Sequence, residues 1–315
     1  MITTPISAQG DRGPRPLEYQ ALNRPCPVCG NSCRQRCERL YVVPDFEVLR
    51  CSDCGTTFID HVVNDNFGFD IEWEIKTDPT VAIKSASDFK QIKAKLKKME
   101  SDEIRHHRLL DIGCGTGAFL RQAQREGWSV VGLELSPKVA DYARKEGILE
   151  VETGSIESPT NFAPASFDIV TMFGVIEHLG NPRGAVLECA TLLRPGGLLV
   201  LQTPTEDGFI RRFGHLIYRM TCGLVNFHVR QLYSLGGGHS TIFNRRSIRF
   251  LLGHCGFEIV SVEQSTYGLR VLLMRFDSLP PHKRLIHVLG TTIIFLLGRI
   301  AGGNNHMTVY AQKRE

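Results

Sequence analysis

The sequence predicts an α/β chain built on a mostly parallel sheet covered by helices, with a small metal-held module in front of it. Three observations carry this. From Arg108 onward, short apolar runs alternate with segments of helical periodicity, the pattern of consecutive βα units. The alternation opens with a strand running into a glycine turn, Leu109-Leu110-Asp111-Ile112-Gly113-Cys114-Gly115-Thr116-Gly117. Ahead of it lie two C-x2-C-G turns, Cys26-Pro27-Val28-Cys29-Gly30 and Cys51-Ser52-Asp53-Cys54-Gly55, a spacing that lets two turns share one metal.

The chain has 315 residues, enough for a core of roughly 200 residues plus a smaller attachment. With 42% hydrophobic and 22% charged residues it has an ordinary globular composition, which argues against disorder. A net charge of +4 is too mild to imply nucleic acid by itself. Met1 to Leu22 is rich in Pro, Gly and polar residues and lacks an apolar secretory core, so a cytoplasmic setting is expected. There, closely spaced cysteines serve as metal ligands more often than as disulfides. The apolar run Leu285 to Leu297 is too short to span a bilayer.

Changes of pattern divide the chain into a flexible leader, 1–23; a zinc-ribbon-like module, 24–60; a connector, 61–84; and a main domain, 85–315. The main domain carries an insertion, 206–240, and an apolar helix near 284–300. In Asp88 to Glu100, Phe89, Ile92, Leu96 and Met99 recur at helical spacing among five lysines, which predicts an amphipathic helix. Strands are expected at 109–112, 129–133, 167–173, 198–202 and 257–262, with a terminal strand at 307–311. Helices are expected at 118–126, 137–145, 183–193 and 244–255. Ser136 is expected to cap the second of these, and Pro137 costs little at a first helical position.

The cysteine turns offer four thiolates, Cys26, Cys29, Cys51 and Cys54, to one zinc ion in tetrahedral geometry. Gly30 and Gly55 permit the tight turns. A closed all-thiolate shell implies structural zinc, holding together a segment too small to fold on its own core. Cys33 and Cys37 lie between the turns and compete as ligands. Cys114, Cys189, Cys222 and Cys255 have no paired spacing and are expected to be buried fillers.

The glycines alone also satisfy the looser dinucleotide pattern through Gly113, Gly115 and Ala118, with Glu134 about 20 residues on. Asp111 separates the readings, because a carboxylate there would face an anionic pyrophosphate but suits a cation. S-adenosyl-L-methionine carries an ammonium, a sulfonium and a carboxylate. The carboxylate can rest on amides near the following helix N-terminus.

LDIGCGTG, GLELSP, FDIVTMFGVIEHLGNP and LLRPGGLLVLQTP follow in that order. Through them residues 108–204 resemble the class I S-adenosylmethionine-dependent methyltransferases. GHSTIFNRRSIRFLLGHCGFEIV extends the resemblance toward residue 262. The resemblance implies a Rossmann-like doubly wound sheet. It also implies that Asp111, Gly113, Gly115 and Gly117 surround the methionine part, that Glu134 accepts from the ribose hydroxyls, and that Leu135, Ser155 and Ile156 border adenine. Phe173 and Gly174 would then lie beside the transferable methyl.

Methyl transfer needs in-line approach of the acceptor, so positioning carries much of the catalysis. His178, in Glu177-His178 after the fourth strand, is the first candidate for a base, and His239, after Gly236-Gly237-Gly238, is the second. His178 could equally orient its loop. Some related quinone O-methyltransferases use a metal near such a Glu-His pair, but this chain has Gly174 where they carry a polar group.

In the insertion, Phe209, Phe213, Tyr218, Phe227 and Tyr233 alternate with Arg211, Arg212, Arg219 and Arg230. With the apolar C-terminal helix, flanked by Lys283, Arg284 and Arg299, they suggest a small-molecule, glycan or lipid-linked acceptor and a peripheral membrane contact. Packing of these amphipathic segments on each other as a cap is the plainer reading. Two alternatives remain open: an RNA methyltransferase whose ribbon binds substrate, and a non-catalytic S-adenosyl-L-methionine-binding protein.

Overall fold

The computed structural model describes residues 24–30, 36–43, 46–60, 71–98, 108–148, 150–224, 239–265 and 305–315, with scattered helical positions between 284 and 298. The expected leader, Cys33, Phe227, Arg230 and Tyr233 lie outside the described residues, as does most of the apolar C-terminal helix. No helix among the described residues is long and apolar enough to cross a membrane.

The first strand of the main sheet, β4 (Arg108–Ile112), lies near its middle. It pairs in parallel with β5 (Ser129–Glu134) on one side and β7 (Phe167–Phe173) on the other. A short β6 (Val151–Thr153) extends the sheet beyond β5, and β8 (Leu193–Pro204) extends it beyond β7. The chain therefore reverses direction of growth between β4 and β7, which opens a crevice at their C-terminal ends.

The expected terminal strand is β11 (His306–Lys313). It inserts antiparallel between β8 and β10 (Phe257–Ser265), giving the order β10-β11-β8-β7-β4-β5-β6. This seven-stranded α/β arrangement is the doubly wound Rossmann-like sheet that the resemblance implied, with the parallel centre that the alternation predicted.

Alternating side chains send each central strand into two cores. Leu109, Ile169, Leu198 and Val200 face one core, with Phe89, Phe119 and Trp128. Leu110, Val170, Leu199 and Leu201 face the other, with Val186, Ile248 and Leu251. The helices α2 (Ala118–Arg125), α3 (Pro137–Lys145), α4 (Pro182–Leu192) and α6 (Arg245–His254) cover these faces at nearly the expected bounds.

Two local expectations are corrected. Pro137 does open α3, but the Ser136 hydroxyl makes no capping bond; its backbone N–H donates instead to Glu134. Cys114, Cys189 and Cys255 are buried, whereas Cys222 is exposed in the turn that ends the insertion helix.

The helix α1 (Ile71–Lys98) begins well before Asp88 and takes up most of the stretch read as connector. Pro79, which removes a helical donor, and the lack of apolar periodicity hid its first half. Its second half is amphipathic as expected, with Phe89 and Ile92 buried. Several of its lysines are engaged: Lys93 pairs with Glu126 at 2.7 Å and Lys95 with Glu263 at 2.5 Å.

The cysteine-rich segment forms an antiparallel meander of β1 (Cys37–Val43), β2 (Phe46–Cys51) and β3 (Thr57–Ile59). Its sheet does not end there. β3 pairs with β9 (Thr241–Ile242), a strand of the main domain, and Cys26, Val28, Cys51, Cys54 and Phe58 join the main core. Arg246 grips the second cysteine turn through the carbonyls of Ser52 and Asp53, at 3.2 and 2.7 Å.

Asn244 serves both units. It accepts the Ser247 N–H at 2.8 Å to cap α6 and donates to the Gly55 carbonyl at 2.7 Å. Loss of a cap costs about 1 kcal/mol, and loss of the tie adds a hydrogen bond's worth. Asn244→Ala is expected to lower the unfolding free energy by about 1–3 kcal/mol in urea titration. Asn244→Ser, which keeps a cap, falls between it and the wild type.

Candidate active site

The C-terminal ends of β4, β5 and β7 bring the predicted cofactor residues to one edge of the sheet. Asp111, at the end of β4, is only 3% exposed and accepts from the Thr171 hydroxyl on β7 at 2.6 Å. Glu134 closes β5, 4% exposed. Its two oxygens accept the N–H groups of Gly115 at 3.0 Å and Ser136 at 2.9 Å, so it braces the glycine turn and is not a solvated residue of the helix start.

The turn needs its glycines. Gly113, Gly115 and Gly117 all have positive φ, which side chains other than glycine rarely adopt. A Cβ at Gly113 would also overlap Val175, and one at Gly117 would come within 2.9 Å of Ile148.

Burial dominates the electrostatics. It pushes the Asp111 carboxyl up to about 7, against the Thr171 hydrogen bond and with help from the Glu134 charge. Burial also raises Glu134, while the amides of Ser136, Gly115 and Leu135 oppose it. Two carboxyls in an apolar crevice favour a cationic ligand, because such a ligand restores the charge that burial discourages.

Leu135 is exposed just beyond β5, while Ser155 is half-buried and Ile156 buried beyond β6. All three lie past the same sheet edge, as an adenine border requires. Phe173 stacks edge-on against Phe119 at 4.8 Å and lies 5.3 Å from the Lys84 ammonium. Gly174 has positive φ, and its N–H donates to Gln202. Lys84, paired with Asp88 at 2.5 Å, comes from α1 and was passed over because its stretch showed no pattern. Thr171 lies inside the strand expected at 167–173, where nothing in the sequence marks it as the partner of Asp111.

Past β7, a 3-10 turn over Ile176–His178 carries the candidate base. His178 and His239, 61 positions apart in sequence, meet with ring centroids 5.0 Å apart. Glu177 joins them: its carboxylate and the two imidazoles place ligand atoms within 4.8 Å of one another. Burial pushes Glu177 up to about 7, opposed by its own backbone N–H, Thr203 and the Arg211 charge. A proton can move within such a cluster, and two imidazoles with a carboxylate are also a donor set that divalent transition metals accept.

Cys26, Cys29, Cys51 and Cys54 converge, all four sulfurs lying within 4.8 Å of one another. Cys26 and Cys54 are 3.5 Å apart, and Cys29 and Cys51 3.7 Å. A tetrahedral zinc with bonds of about 2.3 Å has sulfur edges of about 3.8 Å, so the four thiols fit that ion. The hydrogen bond between Cys26 and Cys54 lowers the Cys54 thiol and raises the Cys26 thiol, the two sulfurs sharing one proton. Cys37 stands opposite Cys51 across β1 and β2 but outside the quartet, and burial raises its thiol to about 12.

Residues 86–262 match the family described as methyltransferase domain. A ubiquinone biosynthesis O-methyltransferase of Xanthomonas euvesicatoria pv. vesicatoria is 34% identical over 106 residues, which is 32% of this chain and 44% of that protein. Its counterpart from Paracidovorax citrulli is 32% identical over the same shares. The chain thus spans less than half the length of these curated relatives.

Among solved structures, a Haemonchus contortus phosphoethanolamine N-methyltransferase 2 bound to S-adenosylhomocysteine has a TM-score of 0.52 at 22% identity. The match covers 71% of this chain and 52% of that one. The likeness establishes the fold.

The buried carboxyls set a pH dependence. Asp111 and Glu177 hold protons in the folded state up to about pH 7, whereas unfolded carboxyls release them near pH 4. Between these limits the folded state binds more protons, so stability falls as pH rises. Urea midpoints of the ligand-free, wild-type chain are expected to fall more steeply from pH 4.5 to 7 than those of Asp111→Asn/Glu177→Gln. Equal slopes would count against these assignments.

Proposed function

The chain belongs to the methyltransferase-domain family of class I S-adenosylmethionine-dependent enzymes, and on that premise we propose that it O-methylates a small-molecule, glycan or lipid-linked acceptor in a biosynthetic pathway. The observation that carries the reading is the convergence, at one sheet edge, of the Asp111–Glu134 glycine turn with the Glu177–His178–His239 cluster. When bound, S-adenosyl-L-methionine supplies the electrophilic methyl.

The chain's own residues have four tasks. Asp111 offers its carboxylate to the cosubstrate's ammonium, and Glu134 keeps lone pairs for the ribose while holding Gly115. His178 accepts the acceptor hydroxyl's proton at an imidazole nitrogen, so that the oxygen attacks as a stronger nucleophile. His239 flanks it, and Glu177 orients the pair. Closing this apolar crevice over the acceptor excludes water from the in-line path.

Structural zinc at the four cysteines is part of the same reading. The second cysteine turn is gripped by α6 and continues into the strand that pairs with β9, an arrangement that supports a scaffolding role over a substrate-reading one. We place the chain in the cytoplasm, in peripheral contact with a membrane through the exposed Leu285, Leu289, Ile293 and Leu296.

Calorimetric titration with S-adenosyl-L-methionine is the deciding experiment. Wild type is expected to bind saturably, and Asp111→Ala/Glu134→Ala to lose binding. Affinity is expected to weaken as pH drops below about 7, because the cation must displace the Asp111 proton. Absence of binding by the folded, zinc-loaded chain would overturn the reading.

Zinc is checked separately by metal analysis and melting. One equivalent is expected in wild type and none in Cys51→Ser/Cys54→Ser, which melts lower and loses methyl transfer as β3 and β9 part. A stable, metal-free wild type would rule zinc out.

A further inference from the structure

A second site lies where the ribbon meets the insertion. The helix α5 (Phe209–Met220) packs on β1: Tyr218 exchanges hydrogen bonds with the Val42 backbone at 3.1 and 3.3 Å, and His215 Nδ1 lies 3.2 Å from the Tyr41 hydroxyl. Beside this contact is a cavity of about 320 Å³, walled by Arg50 of β2 and by Arg211, Arg212 and Arg219 of α5, with Glu206 as its one acid. The volume suits a small ligand group.

The arrangement is built. Arg211 is 5% exposed, an expensive place for a guanidinium, and Glu206 holds it at 3.1 Å while reaching Arg50 at 3.9 Å. One carboxylate therefore presets two guanidiniums. Among the described residues, no carboxylate forms an ion pair with Arg212 or Arg219. Four arginines and one glutamate line the cavity, and Arg50 also meets Glu38 of β1 at 3.5 Å, so positive charge remains in excess. His215 is pushed below its usual range by burial first and then by Arg50 and Arg219, against the opposing charges of Glu206 and Glu38.

Position ties this cavity to methyl transfer. Glu206 follows β8 by two residues, past the strand end that runs beside Phe173. The Arg211 charge also acts on Glu177, so the cavity lies within electrostatic reach of the imidazole cluster. A single carboxylate ligand would need one guanidinium fork, whereas several forks around one space match the many oxygens of a phosphoryl group. An apolar stripe leads from the cavity along α5 and past its end, with Leu216 at the wall and Met220 and, beyond the helix, Leu224 exposed at 75% and 87%.

We infer that this cavity binds a phosphate or diphosphate group carried by the methyl acceptor. The word acceptor rests on the methyltransferase reading; the anion site stands on its own geometry. The group belongs either to a soluble phosphorylated compound or to a lipid whose chain follows the α5 stripe.

The test is calorimetric titration of the full, zinc-loaded chain with inorganic pyrophosphate and with farnesyl diphosphate. Arg212→Gln/Arg219→Gln is run alongside, with S-adenosyl-L-methionine titrated into every sample. Wild type is expected to bind pyrophosphate saturably, and the double variant to bind it at least tenfold more weakly with unchanged cosubstrate affinity. Tighter binding of farnesyl diphosphate than of pyrophosphate supports the site with a lipid-linked acceptor; equal affinities support it with a soluble one. No binding of either probe, or binding undiminished in the double variant, overturns the site. Pyrophosphate binding without cosubstrate binding leaves the site standing and removes the methyltransferase reading instead.

Discussion

The backbone of Ser240 joins what the sequence lists as separate modules. Its N–H donates to the Glu177 carbonyl at 2.9 Å, its carbonyl accepts the Ile59 N–H at 3.1 Å, and its hydroxyl reaches the carbonyls of Glu177 and Leu179 at 3.2 Å. Ser240 is buried, where unmade backbone bonds are costly, so the connection is strongly specified. One residue thus fixes the ribbon's last strand against the turn that carries His178, and sets the direction from which His239 enters. The cysteine quartet, the strand pairing and the imidazole pair are thereby joined by a continuous run of hydrogen bonds and core contacts.

This connection explains why a four-cysteine module stands in front of a domain that has a large core already. A segment of roughly 35 residues cannot bury enough surface to fold alone, and here its cysteines and Phe58 complete the core on one face of the main sheet. The metal, by closing the two turns, would hold β3 in register for β9 to pair with. The small module and the short strand depend on each other.

Three carboxyls, Asp111, Glu134 and Glu177, are buried along one edge of the sheet. Retaining them there opposes stability at neutral pH, and such opposition is common where a fold prepares to meet charge. Asp111 and Glu134 surround the glycine turn, while Glu177 lies with the imidazoles and feels the Arg211 charge. The crevice therefore grades from an acidic end suited to a cation toward the arginine-lined cavity suited to an anion.

Much of this was legible in the chain itself. Apolar runs with period two, glycines at obligatory positive φ and paired cysteine turns report local geometry, and local geometry is encoded by neighbours in sequence. The strands β4, β5, β7 and β8, the glycine turn and the cysteine quartet accordingly lie within a few residues of where the sequence puts them. What sequence could not determine were features made only by distant partners. β6 has three residues and β9 two, too short to carry periodicity, and each exists because a neighbouring strand satisfies its backbone. The first half of α1 forms across a proline, and the Ser136 contact that the structure does make is a backbone N–H donated to Glu134 from the neighbouring strand end. The burial of Arg211, the meeting of His178 with His239 and the entry of Lys84 into the crevice are likewise tertiary. Which charges lose their water, and which side chains share it, is decided by packing between elements that the chain holds far apart.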